Sequence, residues 1–182
     1  MNPVLPPAVA AELDDLLEPW RSIIGADFQG YRNHCRRMTA FCLALRECTD
    51  EEQRKIVIAA CFHDIGLWTA DTLDYIPPSL PPAVDHLRRH ALDRWSDEIC
   101  LMIGEHHKLR PYSGSSSSLI ELFRRGDLVD FSLGTVRFGV PSTFIRQAKA
   151  QYPNAGFHRT LVRRASRWFV RHPLNPDPMM KW

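Results

Sequence analysis

His34 precedes Met38, Phe41 and Leu45 by four, seven and eleven residues, on an apolar helical face where a leucine is expected. His63 and Asp64 end the run IVIAACF, and Asp127 continues the face begun by Ile120 and Phe123. Burying such groups without partners is costly, so each requires a hydrogen-bond network or a metal. One buried histidine is ordinarily a satisfied core residue. Three such interruptions, together with the His106–His107 pair at the end of an apolar stripe, bring together neutral imidazoles and carboxylates, the makings of a divalent-metal shell.

The elements that must position these residues read as helices, with no sustained alternation of period two. The expected fold is all-α, a single-domain helical bundle over residues 1–182. A first helix is expected over Ala8–Trp20 and a second from Gly30 to Glu47, carrying His34. Thr49 and Glu52 are spaced as a capping box, so a third helix starts there and brings Ile56, Ala59, Ala60 and His63 inward. Pro77, Pro78, Pro81 and Pro82 read as a connector before a helix over Ala83–Leu92. Ser96 reads as the cap of the next helix, which turns Ile99, Met102, Ile103 and His106 to one side. Further helices are expected over Ser118–Phe131, from Pro141 to Gln151 and over Phe157–His172, with an irregular tail NPDPMMKW. The run SGSSSS at 113–118 reads as a short loop.

Composition narrows the classes. No apolar run approaches the roughly 18–20 residues a bilayer requires, and the first twenty residues lack the basic-then-apolar pattern of a secretory signal. Five cysteines without a CxxC pair lie among apolar residues, which fits a reduced, cytoplasmic setting. The net charge of +2 conceals an asymmetry: residues 1–130 carry 14 Lys and Arg against 20 Asp and Glu, whereas 131–182 carry nine against one. That split raises the expectation of an anionic ligand. No nucleic-acid or membrane module accompanies it; the arginines at 159, 163, 164, 167 and 171 read as the solvated side of a helix packed through Leu161, Val162, Ala165, Trp168 and Phe169.

The segments YRNHCRRM, AACFHDIG and FRRGDLVD, spanning roughly residues 30–131, resemble the HD-domain superfamily of metal-dependent phosphohydrolases. The resemblance implies that His34, His63, Asp64 and Asp127 hold one metal, with Asp130 the competing choice for the last ligand. It implies that His106 and His107 recruit a second ion, and His86 or His90 would be the additional histidine of binuclear relatives; one-metal and two-metal readings both stand. Leu67 occupies the place of the lysine in the HDxGK form, and no GYP motif follows, which weighs against cyclic-dinucleotide hydrolysis.

The implied activity is hydrolysis of a small phosphate ester or nucleotide with a divalent cofactor, whether Mn, Fe, Ni, Co, Mg or Zn. The ion would lower the pKa of its water, Asp64 would ligate and accept the proton, and Lys108, Arg110 or Arg37 would stabilise phosphoryl charge. Trp68, Asp71, Asp74 and Tyr75 form a candidate lip. Rival readings are a di-iron oxygenase on the same fold and a non-catalytic, metal-stabilised module whose basic last helix contacts an anionic partner. A homodimer is compatible with each.

Overall fold

The computed structural model describes residues 3–114 and 117–180, so Ser115 and Ser116 of the 113–118 run and the last two residues of the tail lie outside the described residues. Among the described residues every regular element is helical: α1 (Pro7–Leu17), α2 (Arg21–Ile24), α3 (Phe28–Leu45), α4 (Asp50–Phe62), α5 (Gly66–Thr69), α6 (Ile76–Arg89), α7 (Ser96–Glu105), α8 (Ser117–Phe131), α9 (Ser142–Gln151) and α10 (Phe157–Arg171). The all-α reading holds.

Four of these helices form a closed ring. α3 packs on α4, α4 on α7, α7 on α8, and α8 back on α3. Each of the four carries or leads directly into one or two of the ionisable interruptions, so the helix packing that builds the core also brings them together. α1 covers α4 and α3 through Val9, Leu13 and Leu17, and α9 closes on α3. No described helix is long and apolar enough to cross a membrane.

Local chemistry explains the boundaries. The capping box at the start of α4 is present in both directions: Glu52 N–H donates to Thr49 Oγ1 at 3.3 Å, and Thr49 N–H donates to Glu52 Oε2 at 2.9 Å. The proline stretch is not a connector but the start of α6, which runs from Ile76. Amides in a first turn have no intrahelical acceptor, so Pro77 and Pro78 forfeit no bond there. Pro81 and Pro82 do lie inside the helix, yet Ile76, Ser79, Ala83 and Leu87 are buried along one face, and that packing holds the element together. Ser96 does not cap α7; it is the helix's first residue, preceded by a 3-10 turn over Asp93–Trp95.

Two glycines permit close approaches around the site. A Cβ on Gly126 would stand 2.3 Å from Cys42 Sγ and 3.0 Å from the Met38 carbonyl, so glycine lets α8 press onto α3 beside Asp127. A Cβ on Gly66 would stand 2.2 Å from the Tyr75 carbonyl. The Gly66 N–H donates to Ser79 Oγ at 2.9 Å, which pins the turn after Asp64 to the start of α6.

Candidate metal centre

His34 projects from the middle of α3, His63 and Asp64 follow the last turn of α4, His106 follows α7, and Asp127 lies on α8; all five are buried. Two of the histidines exploit helix ends. The last carbonyls of a helix lack intrahelical donors. At the end of α4 the His63 Nδ1–H donates to the Ala60 carbonyl at 2.9 Å, and at the end of α7 the His106 Nδ1–H donates to the Ile103 carbonyl at 2.6 Å. A carbonyl only accepts, so each bond places a proton on Nδ1 and turns Nε2 inward.

His34 reaches the same state by another route. Its Nδ1–H donates to Asp130 Oδ2 at 2.7 Å, and Arg37 grips both oxygens of that carboxylate, at 2.6 Å from Nε and 2.7 Å from Nη2. Burial opposes ionisation of Asp130, but the bonds from His34 and Arg37 outweigh it and hold its pKa down to about 2. Burial pushes the His34 imidazole down to about 4 despite Asp130, so it is neutral at ordinary pH.

Three Nε2 atoms and two carboxylates therefore converge. His34 Nε2 lies 3.1 Å from His63 Nε2, 3.5 Å from Asp127 Oδ1 and 3.8 Å from Asp64 Oδ2. His63 Nε2 lies 3.2 Å from Asp64 Oδ2 and 3.9 Å from Asp127 Oδ1. His106 Nε2 and Asp64 Oδ1, 3.5 Å apart, are both buried without a hydrogen-bond partner. Donor atoms sharing an ion at roughly 2.0–2.2 Å stand about 3–3.5 Å apart, and most of these spacings fall there. Among the described residues two groups of donors could hold an ion: His34, His63 and Asp64; and Asp64, His106 and His107, with Asp64 common to both.

The carboxylates differ. Burial disfavours the charged form of Asp64, yet His63 and His106 beside it hold its carboxyl well below the usual range. Burial, reinforced by Asp64 and Asp130 and opposed by His106, pushes Asp127 up to about 7.

Of the two acids proposed for the last position, Asp127 faces the Nε2 atoms and Asp130 stands behind His34. Arg37 is not a substrate contact: it is buried, bonded to Asp130, and donates through Nη1 to the Tyr152 carbonyl at 2.8 Å. Lys108 lies near Glu105, at 3.6 Å, and lines not the main cavity but a small one of about 80 Å³ shared with His106, His107 and Asp127. Arg110 is exposed and lines no cavity at the centre. His86 and His90 pair with each other, ring centroids 4.2 Å apart, in a separate cleft beside Trp20 and Arg54. They line a different cavity from the centre, with His86 packed against the outer side of α4 on Phe62, ring centroids 5.6 Å apart.

A cavity of about 400 Å³ opens over His34, Asp64 and Asp127. From the candidate lip only Tyr75 lines it, its hydroxyl bonded to His107 Nε2. Trp68 packs on the Tyr31 ring and donates to Asp27, Asp71 pairs with Arg164, and Asp74 is exposed. The other wall was not foreseen: Phe131, Phe157, Leu161, Val162 and Ala165, with Met179 and Met180 of the tail. Phe157 stacks on His34 with centroids 4.3 Å apart. The amphipathic pattern of residues 157–172 signalled a packing face, but not that part of it faces a cavity. No family model, curated protein or solved structure matches the chain.

Proposed function

We propose that this protein is a divalent-metal-dependent phosphohydrolase of the HD type, acting on a small phosphate ester or nucleotide. The observation carrying the reading is the orphaned pair His106 Nε2 and Asp64 Oδ1 beside the facing lone pairs of His34 and His63. Buried polar atoms without partners are rare, and a cation relieves all four at once. His34, His63, Asp64 and Asp127 would hold one ion, and Asp64, His106 and His107 a second.

An ion there supplies Lewis acidity and a water of lowered pKa. The chain's own contributions are distinct. The Ala60 and Ile103 carbonyls and Asp130 fix the three imidazole tautomers, and the buried setting excludes competing solvent ligands. Asp64, held ionised, is the group placed to accept a proton from a water at the centre. Tyr75, next to His107, is placed to donate to a substrate oxygen.

Protein stripped of metal should be inert towards a phosphate-ester panel and regain turnover with Mn²⁺ or another divalent ion. His63→Ala and Asp64→Ala should abolish both metal retention and turnover; unchanged values in both would refute the assignment.

One observation favours a second reading, the di-iron oxygenase. Among the described residues no lysine or arginine lines the main cavity to neutralise a phosphate. Iron near two per chain, with oxygen uptake and no phosphate release, would select it.

A further inference from the structure

We infer that the cavity over the candidate metal centre accepts a small amphiphile, one anionic group carried on an aryl or alkyl body, and rejects polyphosphates. The inference rests on the phosphohydrolase reading and names its substrate class.

The cavity is most polar at its base, where His34, Asp64 and Asp127 meet Tyr75 and His107; His158 and Asp177 are the other polar residues of its lining. Its walls are Leu73, Phe131, Phe157, Leu161 and Ala165, closed by Met179. At about 400 Å³ it lies within the roughly 300–1,000 Å³ usual for small-molecule sites. The two phenylalanines flank the base itself: Phe157 stacks on His34, and Phe131 lies edge-on to His107 with centroids 6.0 Å apart. An apolar body would thus begin directly at the reacting end of the ligand.

Charge gives the complementary argument. α10 sorts its side chains by direction: Leu161 and Ala165 face the cavity, whereas Arg163, Arg164, Arg167 and Arg171 line a different cleft with Asp71 and Trp168. The buried guanidinium of Arg37 is consumed by Asp130, and that of Arg124 by Glu121. Asp64 and Asp127 at the base and Asp177 at the rim add negative charge. Recognition of several phosphates relies on arginine forks or lysines, and none faces this space among the described residues. With no lysine or arginine among the described lining residues, the ions at the base would supply the positive charge, where one small anionic group fits.

The test uses the full chain loaded with Mn²⁺. Ethyl, butyl and hexyl phosphate, 1-naphthyl phosphate, glycerol phosphate and ATP are compared by kcat/KM. Calorimetry compares binding of 1-naphthylmethylphosphonate and methylphosphonate. Burial of a methylene corresponds to about fourfold, so kcat/KM should climb by roughly that factor per carbon along the alkyl series. Glycerol phosphate and ATP should fall at least 100-fold below 1-naphthyl phosphate, and the aryl phosphonate should bind at least tenfold tighter than methylphosphonate. Ala165→Arg should erase that binding preference while metal content and helicity stay unchanged; Leu161→Gln, a milder change, should weaken it. Turnover that favours ATP or glycerol phosphate overturns this inference and leaves the phosphohydrolase reading standing. Tight aryl-phosphonate binding with no ester hydrolysed supports the inference and sinks that reading. A preference that survives both folded variants overturns the assignment of these walls.

Discussion

His34 Nε2 and His63 Nε2 face each other at 3.1 Å although each ring already donates from Nδ1, to Asp130 and to the Ala60 carbonyl. The contact is a hydrogen bond only if one ring takes a second proton. For His34 burial opposes that, with a pKa pushed down to about 4. Two helix-end carbonyls and one arginine-clamped carboxylate thus prearrange acceptor atoms that do not satisfy one another, and the chain tolerates this in the middle of its core.

Asp130 is the cheapest place to test that arrangement. Asp130→Asn keeps the shape but removes the charge that fixes the His34 proton on Nδ1. Changes of this kind behind a ligand lower metal affinity by about 10–100-fold. Titration calorimetry on the stripped protein should show that loss for Asp130→Asn with helicity retained. Equal affinity in the variant and the parent would show that His34 is not a ligand.

Arg37 holds Asp130 from the far side, and its removal tests stability instead. Arg37→Met leaves a buried carboxylate bound only by His34. Breaking one side of a buried ion pair costs about 3–5 kcal/mol. Urea denaturation should show a loss of that size, and the double variant Arg37→Met/Asp130→Leu should recover part of it. If the single variant is as stable as the parent, the pair is not the structural clamp described here.

The sequence disclosed the all-α class, the Thr49–Glu52 box and the five inward-facing ionisable positions, because helical periodicity is local and a polar residue on an apolar stripe stands out. It could not disclose partners. Arg37 and Asp130 read as a free cation and an alternative ligand until α3 and α8 were placed side by side. His86 and His90 stood open as an additional ligand because spacing says nothing of which way α6 faces. The apolar wall from α10 escaped for a similar reason: an amphipathic face does not reveal whether it meets core or cavity. Pro81 and Pro82 misled because propensity was outweighed by burial of Ala83 and Leu87.

The contact between α3 and α8 predicts the outcome at Gly126. Any side chain there meets Cys42 Sγ and the Met38 carbonyl, and the backbone cannot retreat without carrying Asp127 away from His34. Gly126→Val should destabilise the fold by about 1–3 kcal/mol through overpacking, and metal affinity should fall with it. Gly126→Val/Cys42→Ala, which empties the nearest atom's space, should recover part of both. A variant with unaltered thermal stability and metal binding would contradict the packing.

Protons compete with metal at Asp127. With its pKa pushed up to about 7, the carboxyl is largely protonated at pH 6 and ionised at pH 8 in the metal-free protein. Metal affinity should therefore weaken on acidification, by roughly tenfold per pH unit below about 7 for this one proton. Asp127→Asn should bind metal more weakly at pH 8 and lose that component of the slope. An unchanged pH slope in the variant would remove Asp127 from the ligand set.

The metal-free protein carries the opposing signs within one stability profile. His34 and His107 are held neutral by burial, with His34 down at about 4, so between pH 6.5 and 4 the unfolded chain takes up protons on both while the folded chain resists. Stability is therefore lost as pH falls through that window. Asp127 acts the other way: its raised pKa means that between pH 4 and 7 the folded state holds a proton the unfolded chain has released, so stability is lost as pH rises through that window and the full cost is present above pH 7. Asp127→Asn should accordingly raise the stability of stripped protein at pH 8, by about 2–4 kcal/mol, and steepen its loss below pH 6.5. Below pH 4, Asp130, ionised down to about 2, adds a further decline in both proteins. Thermal denaturation of stripped parent and variant from pH 3 to 8 reads all three segments, and parallel profiles for the two proteins would show that Asp127 is not titrating inside the core.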